Sequence, residues 1–208
     1  MENRLDTVLL ESVKSAHTKY KKLTGGYGLW HAPESFVQMV MAQKIATMGK
    51  ICVYPECTPG GIERDAARIV KPGPPPKFQQ QQRFDLVVWW KNEARPRALV
   101  ELKLTYASMD GVLKDAKKLL EYRKEAERHA GLRHGYLVAY NSAYRNINHG
   151  KERQGAKTIT DRFENVTDKL QKEFDLVGSY ISHEQKFNER HRHSYGVAVW
   201  RMNYLNAG

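Results

Sequence analysis

Two runs of branched and aromatic residues, 83–90 (RFDLVVWW) and 97–104 (RALVELKL), are separated only by the polar stretch 91–96 (KNEARP). Runs of this composition are strand formers, and so short a polar connection predicts an antiparallel hairpin. The hairpin constrains the rest of the chain because its first strand is apolar on both faces: Leu86, Val88 and Trp90 alternate with Val87 and Trp89. A strand of that kind is internal to a sheet and needs cover on both sides.

The flanking sequence can supply that cover. Residues 5–23 mix apolar and charged positions at helical spacing and end in Thr24-Gly25-Gly26. Residues 33–48 predict a second helix: Pro33 suits the first turn, Val37, Val40, Met41, Ile45 and Met48 share a face, and Gly49 closes it. Glu34 falls on that apolar face, an odd place for a carboxylate unless it serves a site at the helix start. Residues 51–57 (ICVYPEC) read as a strand, with Pro55 marking an edge or an end. A long connection follows, with a short helix expected near 62–69, a stiff proline-rich loop at 71–77 and the glutamine run 79–82. After the hairpin, residues 110–128 predict an amphipathic helix with Val112, Leu113, Ala116, Leu119 and Leu120 inward and Gly131 beyond its end. Residues 135–140 (GYLVAY) then form a strand laid parallel to 97–104 by the helical crossover. The tail predicts a polar stretch at 141–157, a helix at 160–174 capped by Thr158 or Thr160, and strands at 177–183 and 195–202. The expected fold is one α/β domain over residues 1–208: a mixed central sheet flanked by helices, with an α-β-β-β-α-β core at about 33–140 and an elaboration at 141–208.

Chemistry concentrates on the hairpin. In a strand alternate side chains share a face, so Glu101 and Lys103 point the same way, about 7 Å apart. A turn centred near residue 93 or 94 places Asp85 across from Glu101 or Lys103. Two carboxylates and an ammonium among apolar neighbours carry a desolvation cost that mutual pairing or a bound cation must offset. Oxygen ligands from Asp85 and Glu101, with waters and the Leu102 carbonyl, suit Mg²⁺ or Mn²⁺. Such a set has the parts that phosphodiester hydrolysis requires, with Lys103 just outside the metal shell to orient the attacking water or help deprotonate it.

The segment RFDLVVWW, turn, ALVELKL, helix, GYLVAY resembles the core of the PD-(D/E)xK nuclease superfamily, the restriction-endonuclease-like fold, over residues 33–140. The resemblance implies a metal-dependent nuclease. Asp85, Glu101 and Lys103 match the motif positions, and Glu34 matches the further acidic residue that members often carry on the preceding helix. The first proline of the pattern is absent, Phe84 standing before Asp85. Glu56, on the 51–57 strand, is an alternative to Glu34 as the extra acid.

The chain carries 34 Lys plus Arg against 23 Asp plus Glu, a formal charge of +11, which favours a polyanionic partner, DNA above others. Arg83, Lys77, Lys114 and Lys117 are the candidate phosphate contacts, with Lys118 on the same basic helix face; Trp89, Trp90 and Tyr106 offer stacking surfaces, although buried aromatics are commoner in hairpins. A homodimer through the C-terminal elaboration would suit double-strand cleavage. No stretch approaches the roughly 18 apolar residues that span a bilayer, and no secretory segment opens the chain, so a cytoplasmic setting is expected. Cys52 and Cys57 form no disulfide framework, and on regular strand alternation they would fall on opposite faces, which disfavours structural zinc. The rival readings are a catalytically silent nucleic-acid-binding or inhibitory module on the same fold, and an interaction scaffold whose charged cluster is structural.

Overall fold

The computed structural model describes residues 3–59, 61–62, 65, 83–91, 96–105, 110–126, 132–145, 154–174, 179–188 and 191–203. In chain order these form α1 (Asn3–Leu23), a 3₁₀ turn (Leu29–His31), α2 (Glu34–Ala46), β1 (Ile51–Cys57), β2 (Phe84–Trp90), β3 (Pro96–Thr105), α3 (Asp110–Ala126), β4 (His134–Arg145), α4 (Gln154–Phe174), β5 (Ser179–Asn188) and β6 (His191–Asn203). The six strands make one sheet in the order β1-β2-β3-β4-β6-β5. Only β3 and β4 run parallel; the other neighbours are antiparallel. The fold is thus α/β with a mixed sheet, and α2 to β4 follow the α-β-β-β-α-β order. No described helix is long and apolar enough to cross a membrane.

Strand alternation builds two cores. One face of the sheet (Leu86, Val88, Ala98, Val100, Leu102, Tyr136 and Val138) packs against Leu5, Leu9 and Val13 of α1 and Val37, Met41 and Ile45 of α2. The other face (Val87, Trp89, Leu99, Leu137, Ala139 and Trp200) packs against Val112, Ala116 and Leu119 of α3 and Phe163, Val166 and Leu170 of α4. The doubly apolar β2 is accordingly internal, with β1 and β3 on either side.

The ladder between β2 and β3 pairs Leu86 with Val100 and Val88 with Ala98, then shifts by one residue so that Trp89 meets Pro96. Between β1 and β2, Pro55 pairs with Leu86 and Cys57 with Phe84, while the intervening row, Glu56 beside Asp85, drops out of the ladder. Glu56 has φ 54, the left-handed region that a residue with a Cβ rarely adopts. Side-chain alternation breaks at this row: Phe84 packs in the same cluster as Val87, and Cys57 in the same cluster as Cys52. Cys52 and Cys57 therefore do not fall on opposite faces as regular alternation predicts; both are free thiols.

Element ends differ from the sequence expectation where polar residues carry regular backbone. Residues 141–145, the start of the expected polar stretch, continue β4, because pairing of Asn141 with Gly196 through Arg145 with Arg192 needs backbone groups rather than apolar side chains. The last helix starts at Gln154, so Thr158 and Thr160 lie inside it rather than at its cap. Pro33 is the N-cap of α2 rather than its first helical residue. The expected turn at 91–96 cedes Pro96 to β3, and its residues 92–95 lie outside the described residues, as do 71–82 with Lys77, and Tyr106. Of the short helix expected near 62–69, Ile62 and Asp65 are helical and the rest lies outside the described residues.

Gly49 ends the segment that presents α2, with φ +93 and no atom within 4 Å of where a Cβ would stand. Gly49→Ala meets no steric clash and carries only backbone strain. Urea unfolding of that variant is expected to show a loss of about 1–2 kcal/mol, and an unchanged midpoint would contradict the left-handed turn.

Candidate metal and catalytic site

The broken row of the sheet is where the charged residues gather. With β2 and β3 parting beyond the Leu86–Val100 pair, the backbone N–H of Leu102 has no strand partner on that side. It donates instead to Asp85 Oδ2 at 2.6 Å. In a strand the N–H and C=O of one residue point the same way, so the Leu102 carbonyl also faces the gap that Asp85 occupies. The hairpin register carries the next row to Asp85 opposite Glu101, as the turn position predicts.

Gln38, one helical turn into α2 from Glu34, completes the Asp85 environment. Its buried amide nitrogen donates to Asp85 Oδ1 at 3.1 Å and to Glu56 Oε1 at 3.0 Å, tying together the two acids that dropped out of the ladder. Sequence reasoning missed this residue. Its signal was present, a polar side chain among Val37, Val40 and Met41 on the buried face of the helix.

Glu34 does reach the site. Its Oε1 accepts from the Leu104 N–H at 3.4 Å and stands 3.8 Å from Lys103 Nζ. Lys103 is also 3.6 Å from Asp115 Oδ2 on α3. A Cβ on Gly111 would fall 2.9 Å from Lys103 Cε, so the glycine in the first turn of α3 leaves room for the lysine's arm. Asp115 thus joins the site from α3.

Glu101 is held by a cation other than Lys103. Lys118 Nζ on α3 lies 2.5 Å from Glu101 Oε1. The contact pairs the two charges directly. The same ammonium donates to the Arg83 carbonyl and sits 4.7 Å from the Phe84 ring centroid. With its side chain 14% exposed, Lys118 is an inward-facing member of a helix whose Lys114 and Lys117 are exposed. Lys118 does not share the exposed basic face of Lys114 and Lys117: i, i+3 spacing places it on the face of Asp115, toward the sheet. Arg83, Lys114 and Lys117 are exposed beside the site.

Four carboxyl groups (Glu34, Asp85, Glu101 and Asp115) therefore gather about two lysines, Lys103 and Lys118, with the exposed Glu56 behind Gln38. Burial, opposed by the Leu102 N–H and reinforced by the Glu34 charge, pushes Asp85 up to about 6. Burial likewise drives Glu101 above the usual carboxylate range, with Lys118 opposing the rise and Asp85 adding to it. Burial works against the Lys103 ammonium, but Asp115, Glu34, Asp85 and Glu101 outweigh it and raise its pKa. Lys103 is thereby kept protonated, which suits it to orienting and neutralising charge and not to taking a proton.

Among the described residues no group of three or more His, Cys, Asp or Glu is placed to hold a metal ion. A hard divalent ion of the Mg²⁺ type needs only one or two carboxylates and keeps several waters. Asp85, Glu101 and the Leu102 carbonyl are the oxygen donors that such a smaller set would draw on. Trp89 is buried in the core under α3 rather than presented for stacking. Trp90 lies 4.4 Å beneath the Arg97 guanidinium, and the side chains of His183, His191 and His193 lie outside the described residues.

No protein-family model, curated protein or solved structure matches this chain.

The raised pKa of Asp85 has a consequence for stability. Its value is about 6 in the fold against 3.8 for the ordinary group, so its contribution is fully present below about pH 4 and is lost as pH rises through 6. In metal-free buffer the stability of the wild type relative to Asp85→Asn is expected to fall between pH 4 and 6, by about 3 kcal/mol at most. Denaturant titrations across that range check it; a flat difference would contradict a buried Asp85.

Proposed function

We propose that the chain is a Mg²⁺- or Mn²⁺-dependent nuclease of the PD-(D/E)xK class that hydrolyses phosphodiester bonds, with DNA as the favoured substrate. The observation that carries this reading is the Asp85 carboxylate on the Leu102 N–H, in the gap between two strands, with Glu101 on the adjacent row and Lys103 on the same strand. The sequence resemblance points the same way, and the α-β-β-β-α-β order is the one that it implies.

In this reading Asp85, Glu101 and the Leu102 carbonyl hold the cation. When bound, the ion supplies a water of lowered pKa and offsets charge developing on the phosphoryl oxygens. Lys103, kept protonated by four acids, orients the attacking water and balances negative charge at the phosphate. Glu34 and Asp115 fix the Lys103 ammonium from opposite sides. Gln38 holds the Asp85 carboxylate in place, and Glu56 anchors Gln38. Arg83, Lys114 and Lys117, exposed at the rim, are the phosphate contacts, and the net charge of +11 favours the polyanion at longer range.

The catalytically silent nucleic-acid-binding module is a second reading, favoured by one observation: Glu101 already has a counter-ion in Lys118. Calorimetry with Mn²⁺ beside cleavage assays on DNA and RNA separates the two. The nuclease reading expects Asp85→Ala to lose both metal binding and cleavage. Lys103→Ala is expected to keep metal binding and lose about 10²-fold or more in cleavage rate. Metal binding without cleavage of any DNA or RNA by the wild type would favour the silent module.

A further inference from the structure

We infer that Lys118 is a resident counter-ion of the metal site, which a divalent cation must displace from Glu101 in order to bind. This rests on the reading of Asp85 and Glu101 as the metal-holding pair.

Three contacts fix the ammonium: the Glu101 carboxylate at 2.5 Å, the Arg83 carbonyl, and the face of Phe84 at 4.7 Å. Glu101 and Phe84 sit on the two strands that frame the Asp85 gap, and Arg83 immediately precedes β2. The two lysines of the site are thereby divided between its acids. Lys103 serves Glu34 and Asp115, while Lys118 serves Glu101. A buried carboxylate with no counter-ion is unfavourable, and Lys118 supplies the missing charge when no metal is bound. A divalent cation on the same oxygen would stand within a few ångströms of Nζ, and like charges at that distance in a poorly solvated site repel strongly.

Lysine is suited to yielding. Its charge is a compact head on a flexible four-carbon stem, so rotation of that stem carries the ammonium out of the site without moving α3. The neighbouring positions Lys114 and Lys117 are exposed, and a released Lys118 would join that basic face. Metal binding would then be coupled to the appearance of one more cation beside the path of a phosphate backbone.

Two measurements test the exchange on the full chain. Calorimetry with Mn²⁺ alone compares the wild type with Lys118→Gln, which removes the charge and keeps a donor for the Arg83 carbonyl. The variant is expected to bind Mn²⁺ about tenfold or more tightly, as a competing charge has gone. Equal or weaker binding in a folded variant overturns the inference and leaves the nuclease reading standing; no binding in either protein overturns both. The second measurement needs no variant: reductive methylation of the wild type, read by peptide mass, with and without Mg²⁺. Lys118 is expected to be methylated slowly in chelator and faster with Mg²⁺, relative to the exposed Lys114 and Lys117. The same relative rate in both conditions overturns the exchange, and this arm decides the question if Lys118→Gln does not fold.

Discussion

A single carboxylate on a single backbone N–H organises this molecule's polar centre. Where β2 and β3 part company, Leu102 has a donor with no strand to receive it, and Asp85 takes the place of the missing carbonyl. An unpaired donor in the interior would be costly; the side chain satisfies it and is itself immobilised. Everything charged nearby is arranged about that fixed acid. Gln38 reaches it from one layer, and Glu101 and its Lys118 meet it from the other.

The price is electrostatic. Placing several acids between two apolar layers raises the pKa of Asp85, Glu101 and Asp115, and burial is the leading cause in each. A fold chosen only for stability would exchange such a cluster for well-packed apolar residues. Its presence in the middle of the sheet is the physical reason behind the proposed reading of the cluster as a working site.

Much of this was legible in the sequence because hairpins follow simple rules. The polar turn after Trp90 fixes which residues face each other, and strand periodicity puts Glu101 and Lys103 on one side. The helical crossover before Gly135 makes β4 parallel to β3. Glu34 could be found because a carboxylate on an apolar helix face is anomalous. Lys118 could not, since a lysine in a basic helix reads as solvated until the opposite surface is known. Gln38 was hidden for a related reason: an amide has no charge to advertise, and its partners lie on two strands that no local pattern connects. The flip at Glu56 was equally invisible, because nothing in Tyr-Pro-Glu-Cys signals a left-handed residue, and with it went the expected separation of the two cysteines.

That flip also determines where the long β1–β2 connection is rooted. Cys57 and Phe84, its two end posts, are paired partners on neighbouring strands. Both have been turned onto the α3 side, next to the acid cluster. In the ladder this connection is anchored at the Cys57–Phe84 pair, and Ile62 within it is fully buried in the core on the same side. The sheet thus fixes where the connection leaves and rejoins it, beside the acid cluster. Under the proposed function, that point of attachment is the natural place for selectivity to be added or exchanged.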